Sequence, residues 1–166
     1  DRPAVEIVPA VVEAERQYLQ ILKNDRSPYR DGSRYQLMKS REQIVLAKYG
    51  SVEKVPQGAV VERVDTSAFG KELTRYMISD EHKLFMQSCD DLASREFTDP
   101  EWAPQLEKNR RAYAYLPAQI LYNHGHYAEA RPRLEKIIAM YGDSVEASYS
   151  ARMIVDSYTN EGDLQK

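Results

Sequence analysis

Residues 112–130 read AYAYLPAQILYNHGHYAEA and determine the fold. In the first part of this stretch, apolar residues recur three and four positions apart, at Ala114, Ala118 and Leu121. This spacing places them on one face of a helix. Gly125 can adopt the left-handed conformation that ends a helix, and a new helical pattern starts at Tyr127. The stretch therefore predicts a helix, a tight turn and a second helix.

The second predicted helix has its own apolar face, formed by Ala130, Leu134, Ile137 and Ile138. Gly142 ends this helix. Asp143 or Ser144 is then placed to cap a third helix, because short polar side chains accept hydrogen bonds from the first helical turn.

The third helix repeats the first at an offset of 37 residues (162 − 125 = 37). The aligned pairs are Gly125 with Gly162, Ala114 with Ala151, Ala118 with Val155 and Leu121 with Tyr158. A period in the mid-thirties is typical of an α-solenoid, in which each helical hairpin buries its apolar face against its neighbours. The sequence therefore predicts an all-α fold of stacked antiparallel helical hairpins.

Residues 125–130, Gly-His-Tyr-Ala-Glu-Ala, resemble the turn and second-helix opening of a tetratricopeptide repeat (TPR). The resemblance covers about the last third of the chain, and it implies that paired helices cross at small residues, here Ala118 and Ala130. The sequence departs from the family pattern at Gly142, where Pro is expected. It departs again at Pro117, which lies inside the first helix and should kink or shorten it.

In tetratricopeptide proteins, the first helix of each hairpin lines a groove that binds a protein or peptide. The resemblance places seven residues in that groove: Tyr115, Gln119, Tyr122, Asn123, Arg152, Asp156 and Asn160. The chain has 12 tyrosines against three phenylalanines, and tyrosine suits contact surfaces because it buries area while keeping a polar tip. The resemblance implies a non-enzymatic interaction or assembly scaffold. Within the family, the sequence looks most like bacterial cell-envelope members, including proteins of gliding-motility machines. This resemblance favours a location in the periplasm or cell envelope over the cytoplasm.

A helical pair is predicted at the amino end, over residues 1–50. Its two helices span residues 4–22 and 33–49. Residues 44–53 read much like residues 137–146. This pair is therefore either a diverged repeat or an unrelated apolar helix that also ends in Tyr-Gly.

Residues 51–66 contain Pro, Gly and a β-branched pair, which predicts a connector loop with a short extended piece. Residues 67–98 predict a second helical hairpin, with one helix running to Ile78 and the next capped by Ser or Asp at 79–80. Residues 99–166 are predicted to form the TPR-like region, which we expect to be truncated at its carboxyl end.

Composition limits the classes of function. The 166 residues are 42% hydrophobic, enough for a sizeable core. A net charge of −3 gives no global field that would attract nucleic acid, and no apolar run is long enough for membrane insertion. One cysteine excludes an internal disulfide framework. The sequence lacks a phosphate-binding glycine loop, a helical zinc motif and a nucleophile motif, so neither enzymatic activity nor a cofactor is predicted.

Two pairs of side chains are candidate chemical sites. His124 and His126 flank the turn glycine, but they lack a third ligand nearby, and turn histidines are expected at the surface; no metal site is predicted. His82 and Cys89 share one predicted helix face, and a helical enzyme or enzyme accessory subunit could use them as base and nucleophile. The favoured interpretation is that Cys89 is a small core residue.

The local positive clusters are Arg110-Arg111 and Arg131-Pro132-Arg133. Neighbouring glutamates at helical distances favour solvated helix faces over a site for an anionic ligand.

The chain stops at Lys166, where the repeat would place the opening of another second helix. A hairpin that has only its first helix exposes an apolar face, here Ala151, Ile154, Val155 and Tyr158. We expect the native chain to continue into more helical repeat, or a subunit or second copy to cover this face.

Overall fold

The computed structural model describes residues 4–24, 26–62 and 73–162, with side chains from residue 8 onward. The helices are α1 (Ala4–Leu22), α2 (Arg30–Tyr49), α3 (Asp80–Ser94), α4 (Ala103–Asn123), α5 (Tyr127–Tyr141) and α6 (Val145–Glu161). Strands β1 (Val61–Glu62) and β2 (Arg75–Tyr76) form a small antiparallel ladder. The described part of the chain is thus all-helical apart from this ladder, which confirms the predicted class. None of its helices is long and apolar enough to cross a membrane.

The chain divides into two compact units that alternate along the sequence. Unit 1 comprises Asp1–Val52 and Ser79–Tyr113, and unit 2 comprises Glu53–Ile78 and Ala114–Lys166. Helix α4 belongs to both, because the boundary falls within it.

In unit 1, α2 packs against α1 on one side and α3 on the other. The fully buried side chains Val45, Phe85, Cys89 and Leu92 form the centre of its core. The predicted helix over residues 4–22 is confirmed as α1. Serine 79 caps α3 by accepting a hydrogen bond from the His82 amide, as the sequence predicted.

Helix α2 begins at Arg30, three residues before its predicted start. Asp31-Gly32 is a typical turn pair, but contacts from distant residues hold it in the helix. The Asp31 carboxylate accepts hydrogen bonds from the amides of Thr98 (2.8 Å) and Asp99 (3.0 Å), and a side chain at position 32 would collide with the ring of Trp102. Tertiary contacts here outweigh local turn preference.

The predicted helix ending at Ile78 is wrong over residues 73–78, and its earlier part lies outside the described residues. Arg75–Tyr76 is strand β2, and the amide of Met77 donates to the Val60 carbonyl at 2.8 Å. The helix-like spacing of this segment is overridden by pairing with residues 60–62, a partner that lies outside any local window. The predicted short extended piece in the connector is confirmed as β1.

In unit 2, the carboxyl half of α4 leads through residues 124–126 into α5, and α6 packs against α5. Gly125 has φ +80°, and Ser144 caps α6 by accepting from the Ala147 amide at 3.1 Å, both as predicted. Pro117 does not shorten α4, which continues to Asn123. Ala118 and Ala130, the predicted crossing residues, are fully buried.

Candidate functional site

The seven residues that the family resemblance nominated all lie in unit 2. Four are on the carboxyl half of α4 and three are on α6: Tyr115, Gln119, Tyr122, Asn123, Arg152, Asp156 and Asn160. We call this set the α4/α6 surface. Arg152 is exposed and the other six are half-buried, so each presents part of its side chain to solvent.

At one end of this surface, Tyr115 connects the two helices. Its hydroxyl donates a weak hydrogen bond to the Met153 sulfur of α6 at 3.8 Å. Burial raises the pKa of Tyr115, and the nearby Glu53, Tyr149 and Glu146 raise it further. The Tyr115 side chain therefore lies close to the start of α6 and presents a neutral hydroxyl there.

Nearer the other end of the α4/α6 surface, Tyr122 connects α4 to α6 through a residue of α5. Its ring centroid lies 5.2 Å from that of Tyr127 on α5, and the Asn160 amide donates to the Tyr127 hydroxyl at 3.1 Å. Burial raises the pKa of Tyr122, and the nearby Tyr127 and Asp156 also raise it, while Arg152 lowers it. Tyr122 is thus linked to the nominated Asn160 of α6 through Tyr127.

The polar members differ in how far they are already engaged. The Asn123 amide donates to the Glu53 carbonyl, which ties the end of α4 to the connector. Arg152 and Asp156 face each other at 3.6 Å with side chains 80% and 48% exposed. An exposed pair of this kind contributes little to stability and is available to a partner.

Two further residues belong to this surface and were missed. Met153 accepts from the Tyr115 hydroxyl, and Tyr149, which is 54% exposed, contributes to the raised pKa of Tyr115. Tyr149 lies three residues before Arg152 and Met153 three residues before Asp156, so helical spacing from the nominated residues would have found them.

The histidines flanking Gly125 are buried, contrary to the surface position predicted for them. His124 donates through Nδ1 to the Ile120 carbonyl at 2.8 Å, and burial lowers its pKa. His126 donates through Nε2 to the Tyr76 carbonyl at 2.8 Å and accepts at Nδ1 from Arg75. Strand β2 covers this turn, which no local pattern could show. The described residues contain no cluster of three potential metal-ligating side chains.

Cys89 is fully buried, as the core interpretation predicted, and burial raises the pKa of its thiol. His82 is also fully buried, and its Nδ1 is hydrogen-bonded to the Ser79 hydroxyl at 2.7 Å. Seven residues of helix rise by about 10 Å, too far for a direct hydrogen bond between the two side chains.

One arginine of each basic cluster is held by neighbouring side chains. Arg110 pairs with Glu107, and its guanidinium lies 4.8 Å from the centre of the Phe97 ring. Arg131 pairs with Glu161 at 2.7 Å between largely buried side chains. The Arg110–Glu107 pair lies within α4, at the helical spacing that was predicted. The Arg131–Glu161 pair joins α5 to α6, which differs from the solvated face that was predicted.

The apolar face of α6 is only partly covered. Ala151 and Val155 are exposed, whereas Ile154 is half-buried and the Tyr158 ring lies 4.4 Å from the Arg131 guanidinium. Contacts with α5 therefore cover one side of the predicted face and leave the other open.

Comparison of the chain with protein-family models, with curated proteins and with solved structures found no match.

Proposed function

We propose that the chain is a non-enzymatic protein-interaction or assembly module that binds a protein or peptide through the α4/α6 surface. The observation that carries the proposal is that Tyr115 of α4 contacts Met153 of α6, while the Tyr122 ring packs 5.2 Å from that of Tyr127, whose hydroxyl accepts from Asn160 of α6. Residues 30 and more positions apart thereby form one surface of tyrosines beside an exposed charged pair. Tyrosine and arginine are the residue types that most often dominate binding energy at protein interfaces.

The architecture we propose for this region is a TPR-type solenoid. Gly125 and Gly162, 37 residues apart, have φ values of +80° and +79°. The amide of each donates to the carbonyl three residues earlier, Tyr122 at 3.0 Å and Thr159 at 3.1 Å. Equivalent turns at the repeat offset are what stacked helical hairpins require, because each unit must present the same face to its neighbour. On the resemblance alone, a bacterial cell-envelope assembly is the setting we propose.

The test begins with capture of binding proteins from the cells in which the chain is expressed, followed by titration of each purified candidate. Tyr122→Ala and Arg152→Ala should each raise the Kd by about tenfold or more, the effect of an interface residue that contributes over 1 kcal/mol. Arg16→Ala is the matched control. Arg16 on α1 is 79% exposed and, like Arg152, pairs with an acid on its own helix, at 2.9 Å.

Circular dichroism of each variant establishes that the helices are intact. If Tyr122→Ala and Arg152→Ala bind as tightly as the parent, the α4/α6 surface is not the contact site. If Arg16→Ala weakens binding as much as they do, the loss is not specific to the α4/α6 surface and the proposal fails.

A helical enzyme with a site at His82 and Cys89 was the alternative from sequence. A nucleophilic cysteine needs a thiolate, whereas burial raises the pKa of Cys89. Labelling of the folded protein with a thiol reagent at neutral pH separates the two. We expect labelling far slower than in urea, and equal rates would support the enzyme.

A further inference from the structure

Helix α6 carries its polarity the wrong way round for a helix at the surface of a monomer. Its buried residues are small or polar: Ala147, Ser150, Ser157 and Glu161. Val145, Tyr149 and Val155 of the same helix are each more than half exposed. A surface helix normally turns its apolar residues inward and its charged residues outward. Among the described residues, nothing covers this apolar side of α6.

The exposed residues of α6 form one continuous strip, because they recur three and four positions apart along the helix. We call this strip the outer face of α6. Its uncharged members are Val145, Ser148, Tyr149, Ala151, Val155 and Thr159. The exposed Arg152 lies in the middle of the strip, and the half-exposed Asp156 faces it at 3.6 Å. The outer face therefore presents one positive and one negative charge within an uncharged strip.

This arrangement of charges is complementary to itself. In an antiparallel pair of α6 helices related by a two-fold axis level with residue 154, Arg152 of each copy lies opposite Asp156 of the other. The same axis places Tyr149 opposite Thr159, and it brings Val155 of the two copies within about 3 Å of each other along the helix direction. A two-fold symmetric interface requires a patch that pairs with itself in this way.

The outer face of α6 also suits close contact with a second helix. Ser148, Ala151 and Thr159 have short side chains, and the distance between packed helices depends on the side chains at their contact. Helix α6 has 17 residues and is about 25 Å long, so this contact alone is smaller than the interface of a permanent dimer. The complex expected is therefore a weak dimer whose population depends on concentration.

We propose that the outer face of α6 binds a second copy of this chain in an antiparallel, two-fold symmetric dimer. Each Arg152 pairs with Asp156 of the second copy, and the two Val155 side chains meet at the centre. The dimer goes beyond the proposed function and does not require it. The two are connected, however, because Arg152 and Asp156 also belong to the α4/α6 surface. A second copy and a protein partner would therefore compete for these two side chains.

The test is sedimentation velocity of the purified full chain over a range of concentrations. We expect a reversible shift from the 19.1 kDa monomer to a species of twice that mass. Val155→Lys should raise the Kd of the dimer by about 100-fold or more, because it places two ammonium groups together at the centre of the interface. Val60→Lys is the matched control. Val60 is 62% exposed, close to the 64% of Val155, and lies outside α6, so this variant should dimerise as the parent does.

Charge reversal tests the pairing itself. Arg152→Glu leaves acids facing acids across the interface, and Asp156→Arg leaves arginines facing arginines. Each variant alone should therefore stay monomeric at concentrations where the parent is dimeric. An equimolar mixture of the two should form a heterodimer, because one copy then presents two acids and the other two arginines. Circular dichroism of each variant establishes that the helices are intact.

The proposal is overturned if the parent chain stays monomeric throughout, which would leave the outer face of α6 to a different protein. It is also overturned if Val155→Lys dimerises as the parent does, if Val60→Lys weakens the dimer equally, or if the mixture of charge-reversal variants stays monomeric. These measurements contain the purified chain alone, so their failure does not bear on the proposed function. Val155 lies outside the α4/α6 surface, and a protein partner that binds Val155→Lys as it binds the parent would support the proposed function separately.

Discussion

The ends of α2 and α5 have nearly the same sequence and different structures. Each helix ends in Tyr-Gly, at Tyr49-Gly50 and Tyr141-Gly142, and Ser-Val-Glu follows within two residues. Gly50 is left-handed at φ +75°, whereas Gly142 stays right-handed at φ −45°. The Tyr-Gly ending therefore marks where a helix stops without fixing how the chain leaves it.

The turns at Gly125 and Gly162 show the opposite relation, with different flanking sequences and the same backbone conformation. Their neighbours differ, since His-Tyr follows one and Asp-Leu the other, yet both glycines are left-handed and bond three residues back. The Gly162 amide is also shared with the Tyr158 carbonyl four residues back, and the Gly50 amide bonds only four residues back, to Leu46 at 2.9 Å. The 37-residue offset along the chain therefore identified equivalent turns better than local sequence similarity did.

Gly125→Ala should give the largest effect among these turns. A Cβ there would overlap the Thr74 carbonyl oxygen and lie 3.2 Å from the Arg75 Cα, both backbone atoms, in a conformation that already disfavours alanine. We expect a loss of about 2–4 kcal/mol in the free energy of unfolding, measured by urea denaturation. A loss no greater than that of Gly50→Ala would show that β2 does not hold this turn.

Ala130→Leu tests the helix pair on either side of that turn. Ala130 is fully buried, so leucine should overpack the site and cost about 1–3 kcal/mol. The control is Ala128→Leu on the exposed side of α5, where a change within about 0.5 kcal/mol is expected. Equal melting temperatures for the two variants would contradict a helix crossing at Ala130.

Gly50→Ala and Gly142→Ala should change stability in opposite directions. Alanine at position 50 must adopt a left-handed conformation, which costs about 1 kcal/mol. At position 142 the backbone is already helical and a Cβ would lie 3.5 Å from the Ile138 carbonyl, so alanine should stabilise by about 0.5 kcal/mol. Chemical denaturation of both variants measures the two changes in the free energy of unfolding. Changes of the same sign would contradict the predicted contrast.

The smallest predicted effect is a pH dependence at the Gly125 turn. Burial lowers the pKa of His124 in the folded chain, below the value of about 6.5 expected when it is unfolded. The unfolded chain therefore takes up this proton first, and the stabilising contribution is complete above pH 6.5 and declines as pH falls through it. Denaturation at pH 7.5 and 5.5 should show a loss on acidification that is smaller in His124→Asn. Identical losses would assign the dependence to other groups.

The helical class and most helix bounds could be predicted because they depend on local spacing and caps. The start of α2 and the strand at Arg75–Tyr76 could not, since Asp31 and Tyr76 each take partners about 50 to 70 residues away. His124 and His126 are buried because the same strand covers their turn. Local propensity is a weak prior where tertiary partners compete with it.

The candidate sites also differ in whether the sequence alone could reveal them. The α4/α6 surface was predicted from the resemblance to tetratricopeptide repeats, which implies that residues of successive first helices line one groove. A cavity in unit 1, lined in part by Arg30, Arg34 and Arg95, had only one local signal, Arg30 and Arg34 at helical spacing on α2. Arg95 joins them through the fold, so a search for runs of basic residues selected Arg110-Arg111 and Arg131–Arg133 instead.

The alternation of the two units along the chain limits how the protein can be divided. The backbone passes from one unit to the other after residues 52, 78 and 113, and the last passage lies inside α4. No single cut yields two intact units: a fragment ending at 113 keeps residues 53–78 without the α5 and α6 that complete their unit. An expression plasmid for either unit alone would need its two segments joined by a designed linker. Variants truncated at a single point will misfold, so a loss of binding in them will not locate the binding site.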